Sequence, residues 1–407
     1  MSLLAVRICL TLAAVWTQFR MGPENNAVVP GTLQASWRIE TGGQISASPT
    51  VADNTLYIGN NKGSLYAIDV NTGKIVWTAH VPNPLMSAPL IYDDLVIVGE
   101  GDPTSRTSSP SEPVMVGQGP SALIGFDRYG GNLRWQTMLT GSAMPTPAII
   151  DGILVNHDGA GWINGLNPST GQRRYAHWIG SMASMSAILP VGDGDFVTTG
   201  VGTNAAWRMH ADGGAVVWRS QFLRGASGIG DCPPVGNGER IFCDYVAPVS
   251  PDAFTVIGNL TVERSYALDT VTGARLWDVA LESGSLPIRN EAAIPLLDGN
   301  RLYLGSAMTP WMHALDASSG MLVWETPTHG VVKGGAVDVD DVVYFGDLGG
   351  YLWAVNAKTG RILGSKFMHT AFNVGSPIVV GKTLIIGSDT GSIVAVPLEE
   401  IRAAHDS

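Results

Sequence analysis

The residues best placed for chemistry recur at one position of an internal repeat. Laid over one another at the start of each repeat's first hairpin, the equivalents of Ser46 are Met86, Met144, Met185, Gly230, Glu291, Lys333 and Val374; the residue before adds Asn290 and Asn373. Three thioethers followed by a carboxylate and an ammonium permit two arrangements. One is a thioether plug on one side of an axial channel with a structural ion pair on the other. The second is a polar pocket for a small ligand or, less simply, a soft metal held by thioethers. Cys232 and Cys243 flank the turn PPVGNGERIF, and neighbouring strands bring such residues within disulfide range if the register agrees. The adjacent His157 and Asp158, and His329 elsewhere, are isolated from other candidate groups and read as residues of surface loops. No G-x-S-x-G, H-E-x-x-H or P-loop pattern is present, so no residue is assigned a catalytic role and no metal site is assigned.

Positioning these residues falls to a repeat with a period of ~40 to 60 residues, the mark of an array of supersecondary units. The stretch GSLYAIDVNTGKIVW, Gly63 to Trp77, returns six times, ending at Trp135, Tyr175, Trp218, Trp277, Trp324 and Gly364, where the aromatic is lost. Each copy alternates apolar and polar residues, turns, and alternates again, as a hairpin does. Asp69 folds its carboxylate onto nearby N–H groups, Gly73 supplies positive φ, and Trp77 ends the outer strand. A second hairpin precedes each copy, typified by ISASPTVADNTLYIG from Ile45 to Gly59. Two hairpins make the four-stranded antiparallel blade of an all-β propeller; the outer strands, counting the one at Trp37, and the inner hairpins each number eight, which makes eight blades. The two series are offset, so the N-terminal strand around Gln34 to Ile39 completes the eighth blade and closes the ring.

With 407 residues, 45% hydrophobic and 14% charged, one ring absorbs residues 34–397 as a single domain, with a lead-in at 16–33 and a tail at 398–407. A net charge of −11 argues against nucleic acid as a partner. Residues 1–15 form an apolar run broken by Arg7, shorter than the ~20 residues of a membrane span, and read as an export signal. A periplasmic or secreted monomer is expected, and export favours a Cys232–Cys243 bridge.

The motif A-[LIV]-[DN]-x-x-T-G-x-x-x-W, carried by Ala67 to Trp77, Ala267 to Trp277 and partly Ala354 to Gly364, resembles the PQQ-like repeat of quinoprotein dehydrogenases and of the assembly lipoprotein BamB. The run from Trp16 to Arg20, W-x-x-F-R, is similar to the opening of the mature part of such propellers. The resemblance implies that Trp37, Trp77, Trp135, Tyr175, Trp218, Trp277 and Trp324 dock between blades against a neighbour's turn glycine. It also implies a choice of function, because one architecture hosts enzymes and scaffolds. Quinoprotein alcohol dehydrogenases carry adjacent cysteines beside the quinone, whereas Cys9, Cys232 and Cys243 are dispersed and no C-x-x-C-H haem site exists. The expectation is a BamB-like scaffold or binding module without cofactor; PQQ with Ca²⁺ is expected only if the chain is a quinoprotein oxidoreductase. A protein partner would dock on the face carrying two insertions, residues 100–121 and 244–263, which share a joint between second and third strands.

Overall fold

The computed structural model describes residues 16–102, 106–109, 112–114, 120–183, 185–200, 205–221, 232–248, 260–285 and 292–404. Residues 1–15, read above as an export signal and including Cys9, and Asn290 and Glu291 lie outside that set. The chain forms an eight-bladed propeller: seven four-stranded antiparallel sheets and an eighth of five strands. Blade 1 runs Thr50–Ala52, Thr55–Gly59, Ser64–Asp69 and Ile75–His80 from the axis outward.

The turns form as the sequence dictates. Asp69 Oδ1 accepts from the Thr72 amide (2.9 Å) and hydroxyl (2.7 Å), and Gly73 takes φ +70°. These donors hold the Asp69 carboxyl below the usual carboxylate range, and Asp269 and Asp316 are lowered in the same way by Thr272 and by Ser318 and Ser319. Trp77 does not end the outer strand. It is the third residue of Ile75–His80, because the strand continues to pair through His80 with Ser64.

Each aromatic lies on the turn glycine of the next blade. A Cβ on Gly73 would stand 2.8 Å from Trp37, on Gly131 2.6 Å from Trp77, on Gly171 2.4 Å from Trp135 and on Gly214 2.9 Å from Tyr175. Gly273, Gly320 and Gly360 meet Trp218, Trp277 and Trp324 within 2.9 Å in the same way. The indole N–H groups of Trp37, Trp77, Trp218, Trp277 and Trp324 donate to Val70, Arg128, Thr270, Ala317 and Ala357 carbonyls of the blade they touch. Gly364 has lost its aromatic for a physical reason: blade 8 is closed by strands from opposite ends of the chain and has no turn to dock against. The helix Leu398–Ala403 fills the slot, with the Ile401 carbonyl where a Gly364 Cβ would be.

Closure uses more of the N-terminus than one strand. Trp37–Glu40 pairs antiparallel with Ser392–Pro397 as the outer strand, and Val28–Val29 pairs parallel with Ile378–Val380 on the inner side. Between Trp16 and Val29 the chain forms a strap across the disc. It accepts the edge amides of Ile91, Ile149, Gly236, Leu297, Val379 and Gly381 on backbone carbonyls, and that of Asp338 on the Asn26 side chain. Phe19 packs against Ala88, Ala187 and Ile294 from blades 2, 4 and 6, which fixes it at the axis. The strap thus satisfies inner-strand edges that would otherwise be unpaired.

Deleting residues 1–40 should therefore remove both flanks of blade 8 and these seven bonds, the bonds alone costing about 7 kcal/mol at about 1 kcal/mol each. Deleting residues 1–15 should leave the melting transition unchanged. Calorimetry of the two truncations checks this, and equal transitions would contradict closure by the strap.

Candidate functional site

The second strand of every blade carries one residue whose side chain points at the next blade. From the strand register it is Gly59, Gly99, Gly305, Gly346 and Gly387 in blades 1, 2, 6, 7 and 8. Glycine is required there: a Cβ would lie 2.6 Å from Leu85, 1.9 Å from the Ala143 carbonyl, 2.1 Å from that of Val332, 2.8 Å from Phe372 and 2.3 Å from Ile45. In blades 3, 4 and 5 the same position holds His157, Thr199 and Asp244, all fully buried. Three consecutive seams between blades thus contain polar groups where the others contain a glycine packed directly against the next blade.

His157 is not a surface-loop residue, since its strand pairs on both sides and its ring faces blade 4. Nε2 lies 2.6 Å from the Ser181 carbonyl and so carries the proton; Nδ1, 2.9 Å from Thr198 Oγ1, accepts. Burial lowers its pKa to about 4, so the ring is neutral. Asp158 is buried too and caps its turn, accepting from the Ala160 (2.9 Å) and Trp162 (3.0 Å) amides. His329 is exposed and stacks on Tyr351.

The charged part of the site lies between blades 5 and 6. Asp244 and Glu263 occupy adjoining strands, Arg240–Pro248 and Leu260–Asp269, and both are fully buried. Glu263 is held by blade 6: Oε2 accepts from Ser306 Oγ (2.6 Å), and the Ala307 amide donates at 3.1 Å to Oε1 and 3.2 Å to Oε2. Asp244 accepts no hydrogen bond from a donor among the described residues. Burial and then the Glu263 charge push its carboxyl well above the usual range. Asp244 is therefore the member of the pair whose protonated form is favoured. Farther out, Glu282 Oε1 meets His313 Nε2 at 3.1 Å beside a cavity of about 310 Å³ lined by both and by Glu325.

Cys232 and Cys243 adjoin this pair. Both are buried free thiols in the structure, where a bridge is the sequence expectation. Cys243 Sγ donates to the Cys232 carbonyl (3.4 Å), and the Asp244 amide donates to Cys232 Sγ (3.1 Å). Burial, Cys243 and Asp244 raise the Cys232 thiol well above its ordinary value, which keeps it protonated and unreactive.

The axial residues are distributed differently. Met86 and Met144 are buried, Met185 is half-buried and Lys333 is buried at the same level of four blades. Asn373 is half-buried and donates to Asp389 (3.0 Å). The register of Leu296 with Tyr303 puts Ala292 at the level that sequence alignment gives to Glu291. Among the described residues no three His, Cys, Asp or Glu side chains converge as metal ligands. Asp244 and Glu263 were missed because each lies in what reads as an insertion, and His157 because it reads as a surface-loop residue. The break in the glycine column was an available signal for His157 and Asp244; Glu263, on the third strand, carries none.

On the insertion-bearing face, blade 2 carries a short hairpin, Arg106–Ser109 with Glu112–Val114. Blade 5 extends there on strands of 9, 10 and 11 residues, where blade 1 has 5, 6 and 6. No helix among the described residues is long and apolar enough to cross a membrane.

Residues 15–174 and 261–400 match the family described as outer membrane protein assembly factor BamB. The unmatched stretch between them holds Thr199, Cys232, Cys243 and Asp244. The chain is 27% identical to tetrathionate hydrolase of Acidithiobacillus ferrooxidans over 371 residues, covering 87% of this chain and 72% of that protein. It is 24% identical to BamB of Yersinia pestis over 364 residues, covering 85% and 83%. BamB of Moraxella catarrhalis superposes with a TM-score of 0.68 at 14% identity, covering 89% of this chain and 99% of that one, a likeness of fold alone.

The raised Asp244 carboxyl sets a pH slope. The folded state binds this proton more tightly than the unfolded chain, so stability is full below the unfolded carboxyl pKa and falls as pH rises through the folded one. Asp244→Asn should match wild type in melting temperature near pH 4 and exceed it by several degrees at pH 8. The opposite slope from His157, between pH about 6.5 and about 4, cancels in that difference. A pH-independent difference would contradict a protonated Asp244.

Proposed function

The chain belongs to the BamB family of PQQ-like propellers, and we propose that it uses that architecture as a hydrolase of sulfur–sulfur bonds in polythionate-type dianions, acting in the periplasm or outside the cell. The observation that carries the reading is the buried Asp244–Glu263 pair, whose Asp244 stands where five other blades have glycine. The tetrathionate hydrolase relative supplies the substrate class. In such a reaction the oxygen of water bonds to one inner sulfur as the inner S–S bond breaks. Tetrathionate and water give thiosulfate, a sulfenyl sulfonate HO–S–SO₃⁻ and one proton. An acid and a carboxylate side by side suit both ends of that step: the carboxylate accepts the proton of water and the acid protonates the departing sulfur. Sharing one proton also halves the charge that a dianion meets in a protein of net charge −11.

A quinone cofactor fits the described residues poorly. Cys232 and Cys243 lie in a seam between blades, the strap fills the axis with Phe19 and Arg20, and the described acidic side chains offer no converging Ca²⁺ ligands. The scaffold reading is favoured by a separate observation, the three lengthened strands of blade 5, which would present paired backbone and side chains to a protein partner on the insertion-bearing face.

Incubation of the purified protein with tetrathionate, with thiosulfate measured by ion chromatography, should show release that declines as pH rises through the Asp244 pKa. Asp244→Asn should reduce the rate roughly 10²–10⁴-fold without loss of melting temperature. No thiosulfate from tetrathionate or its longer homologues at any pH between 3 and 8 would overturn the hydrolase reading and leave the scaffold.

A further inference from the structure

Three blades carry a tyrosine at one position of the second strand. Tyr57, Tyr303 and Tyr344 each stand opposite the first residue of their inner strand. In blades 1 and 6 the phenol crosses the seam and donates to the first carbonyl of the next blade's turn between strands three and four, Tyr57 to Arg128 (3.1 Å) and Tyr303 to Ala357 (3.3 Å). Blade 7 cannot repeat this bond. Its neighbour, blade 8, takes its third and fourth strands from opposite ends of the chain, so no turn joins them. The residue in the place of Arg128 and Ala357 is Leu398, which opens the helix Leu398–Ala403, and its carbonyl belongs to the helix's own hydrogen bonds.

The space that a turn fills in other seams is here a cavity of about 580 Å³, against about 310 Å³ for the one beside His313. Tyr344 is 1% exposed and forms part of the wall. Burial raises its phenol above the ordinary value, and the Arg402 guanidinium beside it draws it partly back. The hydroxyl therefore keeps its hydrogen at neutral pH, and no acceptor among the described residues takes it. Around it the lining is of mixed charge: Arg402 and Lys382 are cationic, Asp340 and Glu399 anionic. Glu399 is already engaged by the Gln34 amide, which leaves Asp340 as the acidic group open to a ligand. Val339, Leu363 and Leu398 give the cavity apolar walls.

We propose that this cavity binds a short peptide zwitterion, of dipeptide size and with apolar side chains, in the place of the missing turn. Its carboxylate accepts from the Tyr344 hydroxyl and the Arg402 guanidinium, its ammonium faces Asp340, and its side chains lie against Leu363 and Leu398. The volume falls within the ~300–1,000 Å³ of small-molecule pockets. A purely anionic or purely cationic ligand would leave half of the charged lining unmatched. The cavity opens among the inner-hairpin turns, on the face opposite the insertions. It is separate from the Asp244–Glu263 seam and does not depend on the hydrolase reading.

Isothermal titration calorimetry of the purified full chain with the dipeptide Leu-Leu should show saturable binding. Leu-Leu amide, which lacks the carboxylate, and N-acetyl-Leu-Leu, which lacks the ammonium, should each bind roughly tenfold more weakly. Arg402→Met should weaken Leu-Leu by a similar factor and bring it level with the amide; Asp340→Asn should bring it level with the acetylated form. Both residues are exposed, so the melting temperature should stay that of wild type. Tyr344→Phe tests the buried contact and should weaken Leu-Leu more than its amide. No saturable binding of Leu-Leu, Val-Leu or Phe-Leu would overturn the proposal. So would an amide that binds wild type as tightly as Leu-Leu, or an affinity unchanged in all three variants.

Discussion

Neighbouring blades of this propeller meet so closely that a glycine with nothing on its Cα is needed at both ends of the contact. At the rim the turn glycines, Gly73 to Gly360, lie under the aromatic of the preceding blade; nearer the axis Gly59 and its equivalents lie against backbone or side-chain atoms of the next blade. Close packing of this kind leaves no room for chemistry, because every ångström between sheets is taken by backbone or ring. Function can enter only where the rule is relaxed. It is relaxed in three adjacent seams, by His157, Thr199 and Asp244, and the space so opened is filled with groups that must be hydrogen-bonded or neutral to be tolerated.

Those groups reach neutrality in two ways. His157 gives up its proton because burial disfavours the imidazolium, and its ring nitrogens are matched to a carbonyl and a hydroxyl. Asp244 favours its protonated form because burial, and then the neighbouring Glu263 held by Ser306 and Ala307, disfavour its carboxylate. The two carboxyls differ only in which donors the next blade offers them. That asymmetry turns a packing defect into an acid beside a carboxylate.

The fold was legible because its determinants repeat. Asp69, Gly73 and Trp77 recur with fixed spacing, and the offset between the two hairpin series required the N-terminus to close the ring, although the closing strand is Trp37–Glu40 where Gln34 to Ile39 was expected. The candidate site was less legible because it consists of departures from the repeat. Alignment of inner strands drew attention to Met86, Met144, Met185 and Lys333, which share a level. It could not show that Asp244, inside an apparent insertion, belongs to a lengthened second strand. The strap was read only as a lead-in, since Trp16 to Val29 has no periodicity and its carbonyls act on amides hundreds of residues away. Nothing in the spacing of Cys232 and Cys243 revealed that one thiol would face a backbone carbonyl.

The central claim is that the seam between blades 5 and 6 keeps one proton on Asp244 well above the pH at which an ordinary carboxyl loses it. Infrared difference spectroscopy tests it most directly, through the carbonyl stretch of a protonated carboxylic acid in wild type and in Asp244→Asn. The account predicts such a band in wild type at pH 7, shifted by deuterium exchange and absent from the variant. Identical spectra from the two proteins across that region would contradict it.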